Sequence, residues 1–247
     1  MTTAEPGVLA SFPPGRSNAR DLCYNTSSSQ QIEAIAHIIS YPRHDNMEVT
    51  DIRICFVGDS FVNGTGDPLC LGWTGRVCAR AIKRGYPITY YNLGIRRDTS
   101  ADIAARWREE CARRLPPTID GRVVLSFGAN DTTIEQGRQR LSLDTTLYHL
   151  GTIVQDVRRH YPTLLVGPPP VAEAAHNARV VALCHAMAAV AQELEVPYLP
   201  VCERLVQSQT WVQEAAQSDG AHPRQGGYTA LAALVQAWPA WWFAEAP

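Results

Sequence analysis

The sequence predicts an α/β fold, a parallel sheet covered on both faces by helices, and three observations predict it. Continuous apolar runs of strand length alternate with longer stretches of helical periodicity from Asp51 onward. The β-α-β-α order implies right-handed crossovers and a sheet buried on both sides. With 247 residues the chain can bury one large core, a length at which α/β folds are commonly a single domain.

In chain order, residues 1–49 stand apart. Pro, Ser and Asn are frequent there, Thr26–Gln31 reads as linker, and only Ile32, Ile35 and Ile39 fall at helical spacing. Such composition buries too little apolar surface to offset the entropy of ordering. A loosely attached or disordered extension is expected over 1–49, with the folded domain over 50–247 and Met47 as an alternative start. Ile52–Val57 is the first strand, followed by helical periodicity over Trp73–Lys83. Ile88–Leu93 is the second strand, and Thr99-Ser100-Ala101-Asp102 supplies a capping signal for a helix over Ser100–Leu115. Val123–Phe127, Leu164–Val166 and Val196–Val201 complete about five strands, with helices over Leu143–Tyr161, Ala174–Glu195 and Gly227–Trp238. Internal repeats are not apparent.

Charged residues are 19% of the chain, the net charge is −2 and the pI is near 6.4. Nothing there attracts nucleic acid or an anionic membrane surface, and the pairs Arg96-Arg97, Arg113-Arg114 and Arg158-Arg159 are dispersed. The seven cysteines lack CxxC spacing, and Cys55, Cys78 and Cys184 sit within apolar runs; buried free thiols in a reducing compartment are expected. No basic leader with an apolar stretch opens the chain, and no segment reaches the length of a membrane span. These features predict a cytoplasmic protein without stable membrane association. Oligomeric state leaves no mark in the sequence.

Gly58-Asp59-Ser60 stands where the first strand stops, which places a serine at the carboxyl end of a strand, where open α/β sheets bind ligands. A serine nucleophile needs a base within hydrogen-bond reach. Asp219-Gly220-Ala221-His222 offers one, with Asp219 three residues before His222 to fix its tautomer and stabilise the imidazolium. A tetrahedral intermediate needs donors aimed at its oxyanion. Gly94 ends the second strand, where a backbone N–H could approach substrate, and Asn130 follows the third, where its side-chain amide could donate. Taken singly, Ser60 reads as a turn or capping serine, His222 as a surface histidine, Gly94 as a turn glycine and Asn130 as an Asx-turn residue. Together they read as a serine hydrolase.

Gly58-Asp59-Ser60-Phe61, Gly94, Gly128-Ala129-Asn130-Asp131 and Asp219-Gly220-Ala221-His222 occur in the order of the four signature blocks of the GDSL/SGNH hydrolases, and the chain resembles that family from about Asp51 to Trp242. The resemblance implies a three-layer α/β/α sandwich like flavodoxin. It also implies Ser60 as nucleophile, His222 as base, Asp219 as its partner, and an oxyanion hole from the Ser60 and Gly94 N–H groups and the Asn130 side chain. The chain departs from the pattern twice: Phe61 replaces a leucine, and Arg96-Arg97-Asp98-Thr99 replaces a smaller, glycine-containing turn.

Rival motifs fail. No lysine precedes Thr65, so Gly58–Thr65 is not a phosphate loop, and Gly64-Thr65-Gly66 lacks the third glycine of a dinucleotide fingerprint. Ser60 does not lie in G-x-S-x-G. His149, His160, His176 and His185 lack paired metal-ligand spacing, so neither metal nor cofactor is expected. Asn130-Asp131-Thr132 matches a glycosylation sequon, but a glycan would block the candidate oxyanion donor. The expected partner is a small-molecule ester, hydrolysed through an acyl-serine; acyl transfer, lipase or thioesterase action on the same site, or a non-catalytic binding protein of this fold, are the alternatives. Loops 63–68, 96–99, 132–140 and 167–173 are short or polar, which suits a short acyl group, and Arg96 and Arg97 are either contacts for a polar or anionic substrate or solvated turn arginines.

Overall fold

A computed structural model describes residues 51–244; the extension expected over 1–49 lies outside the described residues. The strands are β1 (Ile52–Gly58), β2 (Ile88–Gly94), β3 (Asp120–Ser126), a short hairpin of β4 (Ile134–Glu135) and β5 (Arg138–Gln139), β6 (Thr163–Val166) and β7 (Tyr198–Leu199). The helices are α1 (Ser60–Asn63), α2 (Gly72–Lys83), α3 (Ser100–Arg114), α4 (Leu143–Val157), α5 (Ala174–Glu193), α6 (Cys202–Val206), α7 (Gln209–Ala216) and α8 (Gln225–Gln236).

Successive side chains of a strand point to opposite faces of its sheet, and β1 shows what that implies when both faces are buried. Ile52, Ile54 and Phe56 enter one core with Trp73, Val77, Trp211, Tyr228 and Leu231, so α2, α7 and α8 cover that face. Cys55 and Val57 enter a second core with Ile103, Trp107, Leu150, Val154, Leu183 and Met187, so α3, α4 and α5 cover the other. Five strands form one sheet in the order β2-β1-β3-β6-β7, parallel at every pairing. This is the flavodoxin-like order, in which the chain leaves β1 for one side and then crosses to the other. The expected three-layer α/β/α sandwich is the observed fold.

The boundaries differ where polarity and tertiary pairing outweigh apolar content. β3 starts at Asp120, because Asp120-Gly121-Arg122 pair with Ile52-Arg53-Ile54 although they are polar. β7 shrinks to two residues between Pro197 and Pro200, neither of which can donate to a ladder. The segment 132–140, expected as a loop, closes into the β4–β5 hairpin through Gln136 (φ 51°) and Gly137 (φ 77°). The capping signal at Thr99 is realised: Thr99 N–H donates to Asp102 Oδ2 at 2.8 Å, and Asp102 N–H to Thr99 Oγ1 at 3.4 Å. Helices α6 and α7, of five and eight residues, had no sequence signal long enough to read.

The described cysteines are free; Cys55, Cys78, Cys111, Cys184 and Cys202 are buried and Cys70 is exposed. Among the described residues no helix is long and apolar enough to cross a membrane. Phe56 is fully buried, with its ring 5.5 Å from Trp73 and 6.2 Å from Tyr90, both edge-on. Phe56→Ala should therefore cost about 3–5 kcal/mol, seen as a lower urea midpoint at unchanged slope; a midpoint within error of wild type would contradict this packing.

Candidate active site

β1 ends with Gly58 opposite Gly94 on one neighbour and Ser126 on the other, so three strands stop together at the point where strand order reverses. The chain then turns sharply into α1. Asp59 is the N-cap, its Oδ1 accepting the Phe61 N–H at 2.9 Å, and Gly64 closes the single turn in the left-handed region at φ 82°. The turn folds back against the sheet because two strand-end residues lack Cβ atoms. A Cβ on Gly58 would lie 2.0 Å from the Ser126 carbonyl oxygen, and one on Gly94 would lie 2.2 Å from the Asn63 nitrogen. Ser60 is thereby held as the first residue of α1, at 4% exposure.

The late loop brings its partners to it. His222 Nε2 lies 2.7 Å from Ser60 Oγ, and His222 Nδ1 lies 2.7 Å from Asp219 Oδ2. Asp219 Oδ1 also accepts the Ala221 and His222 N–H groups, at 3.1 and 2.9 Å, in a turn through Gly220 at φ 82°. The carboxylate thus shapes the loop and orients the imidazole. Glu214 on α7 supports this arrangement from behind: its carboxylate accepts the N–H groups of Arg224, Gly226 and Gly227, replacing a side-chain cap at the start of α8. Phe61 has a positional reason as well. Its ring sits 5.0 Å from the His222 ring and stacks 6.1 Å from Trp211, whose Nε1 donates to the Pro170 carbonyl at 3.0 Å.

A cleft of about 330 Å³ opens at Ser60, lined by Phe61, Arg96, Arg97, Asn130, Val171 and His222 among others. Asn130 lies there, with Nδ2 donating to the Asp98 carbonyl at 3.0 Å and, more weakly, facing Asp59 Oδ2 at 3.5 Å. Gly94, expected as an oxyanion donor, does not line the cleft. Its N–H donates to Asn92 Oδ1 at 3.0 Å, and its role is the close approach to α1. Arg96 and Arg97 both reach the cleft, but differently. The Arg97 guanidinium pairs with Glu135 on the hairpin, whereas Arg96 makes no ion pair or hydrogen bond to a described residue.

Two titratable cleft residues had not been singled out from sequence for this site: Glu173 and His176. His176 is 9% exposed, with Nε2 2.9 Å from Thr132 Oγ1 and 3.1 Å from the Ala129 carbonyl. Thr132 Oγ1 itself donates to Ala129 O, so Nε2 carries the proton, and burial lowers the ring's proton affinity. The spacing of His176 with Val180 and Leu183 on the buried face of α5 was the available signal.

Two carboxyls flank Ser60 in opposite electrostatic states. Burial pushes the Asp219 carboxyl up, but the N–H bonds and the imidazole of the same loop outweigh it and hold it at about 2. Asp59 is enclosed; desolvation, aided by the nearby Asp131 and Asp98 carboxyls, pushes it up to about 7 against the Phe61 N–H bond. Among the described residues no group of three or more His, Cys, Asp or Glu side chains could hold a metal ion.

A family model described as "GDSL-like Lipase/Acylhydrolase family" matches residues 56–230. No curated protein sequence matches the chain. Among solved structures, the chain is similar to a lipase/acylhydrolase from Enterococcus faecalis at 24% identity and a TM-score of 0.61, covering 74% of this chain and 92% of that one. It is similar to a catalytic mutant of an acetylxylan esterase from Geobacillus stearothermophilus at 18% identity and a TM-score of 0.61, covering 79% and 97%. An alpha/beta hydrolase enzyme from the metagenome of Lake Arreo, Spain, aligns at 20% identity and a TM-score of 0.62, covering 75% and 93%. At these identities the structural likeness bears on fold alone.

Asp59 generates a stability prediction. Between pH about 4 and about 7 the native carboxyl keeps a proton that the unfolded chain releases, so this residue lowers stability as pH rises through that window. Asp59→Asn keeps an N-cap oxygen and removes the titration. Its urea midpoint relative to wild type should rise from pH 4 to pH 7.5; a constant difference would show that Asp59 ionises normally.

Proposed function

Because the chain belongs to the GDSL-like Lipase/Acylhydrolase family, and so is a hydrolase acting on ester bonds, we propose that it cleaves short-acyl esters through an acyl intermediate on Ser60. The observation that carries this reading is the relay of two 2.7 Å contacts from Ser60 Oγ through the His222 ring to Asp219. In the first step Ser60 Oγ attacks the ester carbonyl carbon while its proton passes to His222 Nε2. Asp219 stays ionised and stabilises the imidazolium. The tetrahedral intermediate collapses as the imidazolium protonates the leaving alcohol oxygen, which leaves the acyl group on Ser60. Water then attacks, giving a proton to Nε2, and collapse returns that proton to Ser60 Oγ and releases the acid.

The developing oxyanion needs preorganised donors. Ser60 N–H is one, since the first N–H of a helix has no intrahelical partner. The Asn130 amide in the same cleft is the second. Gly94 is not retained as a donor because its N–H is committed to Asn92.

The acyl reading rests on the cleft's size and lining. About 330 Å³ is at the small end for ligand sites, and its apolar surface comes from Phe61, Ala129, Val171 and Ala221. Arg96, uncompensated by any described side chain, suits a polar or anionic group on the substrate.

Ser60→Ala should abolish hydrolysis of p-nitrophenyl acetate, and fluorophosphonate labelling with it, while circular dichroism stays unchanged. Wild-type turnover by the variant would remove Ser60 as nucleophile. Across p-nitrophenyl acetate, butyrate, octanoate and palmitate, kcat/KM should be highest for the short esters. A steady rise with chain length, at about 0.8 kcal/mol for each buried CH₂, would instead indicate a fatty-acyl groove.

A further inference from the structure

The β4–β5 hairpin does more than close a surface loop. Its connections converge on the turn Ile95-Arg96-Arg97-Asp98, and from there on Asn130. Arg140 Nη1, just past β5, donates to the Arg97 carbonyl at 2.7 Å, and the Arg140 side chain is 19% exposed. Glu135 on β4 pairs with the Arg97 guanidinium and lies 3.8 Å from Arg140 Nε. The far side of the turn is tied to the sheet: Arg106 Nε donates to Asp98 Oδ2 at 2.7 Å and its Nη2 to the Gly58 carbonyl at 2.9 Å. The product of this double anchorage is the Asp98 carbonyl, which accepts Asn130 Nδ2 at 3.0 Å.

Arg97 itself is held in the left-handed region, at φ 70°, where a side chain is strained and glycine is not. Such strain persists only where surrounding contacts over-determine it. Here the Arg140 bond fixes the carbonyl, while the Arg97 N–H makes no hydrogen bond to a described residue.

We propose that Arg140 is a positioning residue for the oxyanion side of the site, acting through the Arg97 carbonyl and the Asp98–Asn130 contact, and that Arg97 serves the site with its main chain rather than its guanidinium. The ranking of contacts follows from exposure. The Arg97–Glu135 pair is 69% and 43% exposed, so solvent screens it. The Arg140 bond is charge-assisted and its donor side chain is the better sheltered one, at 19% exposure, so it sets the orientation of the Arg97–Asp98 peptide. This inference rests on the reading of Asn130 as an oxyanion donor. A hydrolytic site can lose much of its rate from small misplacement of one donor without losing substrate affinity.

The test is steady-state kinetics on p-nitrophenyl acetate for wild type, Arg140→Ala, Arg140→Lys and Arg97→Gly, with melting temperatures measured alongside. Arg140→Ala should lower kcat by about 10- to 100-fold, a fraction of the loss expected for removing a donor outright, with KM changed less than about twofold. Arg140→Lys, which keeps a cationic donor, should recover at least part of that loss. Arg97→Gly keeps the main-chain carbonyl and removes only the guanidinium, so KM should stay within about twofold of wild type. An unchanged kcat in Arg140→Ala, or a loss confined to KM, would overturn the positioning role. A raised KM in Arg97→Gly would overturn the main-chain role and return its guanidinium to substrate binding. Should Arg140→Ala fail to fold, Arg140→Lys and Arg97→Gly carry the comparison, and a Lys variant with kcat partly lowered and KM unchanged at wild-type melting temperature supports it. An active Ser60→Ala would sink the serine reading itself, whereas an inactive Ser60→Ala beside an unaffected Arg140→Ala sinks only the positioning role.

Discussion

Steric clearance at the carboxyl end of β1 is the constraint on which the rest of the site depends. Gly58 and Gly94 lie opposite each other in the ladder, and neither tolerates a Cβ against the turn that follows. That absence of side chains lets Asp59–Asn63 fold onto the strand ends instead of projecting into solvent. One turn of helix then starts within the topological crevice, and its first residue is Ser60. Moving this turn outward by the width of a methyl group would break the 2.7 Å contact to His222, because His222 is held independently by the Asp219 loop and the α8 start.

The same enclosure sets the electrostatics. Asp59 and Asp219 are both carboxyls near one serine, yet burial dominates one and hydrogen bonding the other. Asp59 accepts the Phe61 N–H and a long 3.5 Å contact from the Asn130 amide beside two acidic neighbours, so the low-dielectric surroundings prevail. Asp219 is half exposed and receives two N–H groups and an imidazole, so its charge is stabilised in place. A pair of carboxyls with separated proton affinities suits a site that needs one fixed negative charge and no competing base.

Stability and geometry are also shared unevenly around the cleft. The serine and histidine sides rest on the core through Phe61, Trp211 and Tyr228. The Asn130 side rests on polar links instead: Asp98, Arg106, and the hairpin residue Arg140. Apolar packing holds the reacting groups, and directional bonds aim the donors, which fits the different tolerances of the two tasks.

The apolar runs and helical periodicity by themselves determined the α/β class, about five strands and the longer helices, because burial on two sides leaves a pattern that local composition carries. The blocks around Ser60, Asn130 and His222 were legible for a similar reason: each lies just past a strand or before a helix, where the fold class alone places it near the crevice. Gly94 was legible as a strand-end glycine but not in its role, since whether its missing Cβ faces substrate or Asn63 depends on how α1 folds back. The hairpin, α6 and α7 were beyond reach, because elements of two to eight residues are selected by the surfaces they meet and not by their own periodicity. The tertiary structure alone decided that Arg97 turns its guanidinium to Glu135 and leaves Arg96 facing the cleft, as side-chain direction in a turn follows from a φ of 70° and from partners more than thirty residues away in the chain.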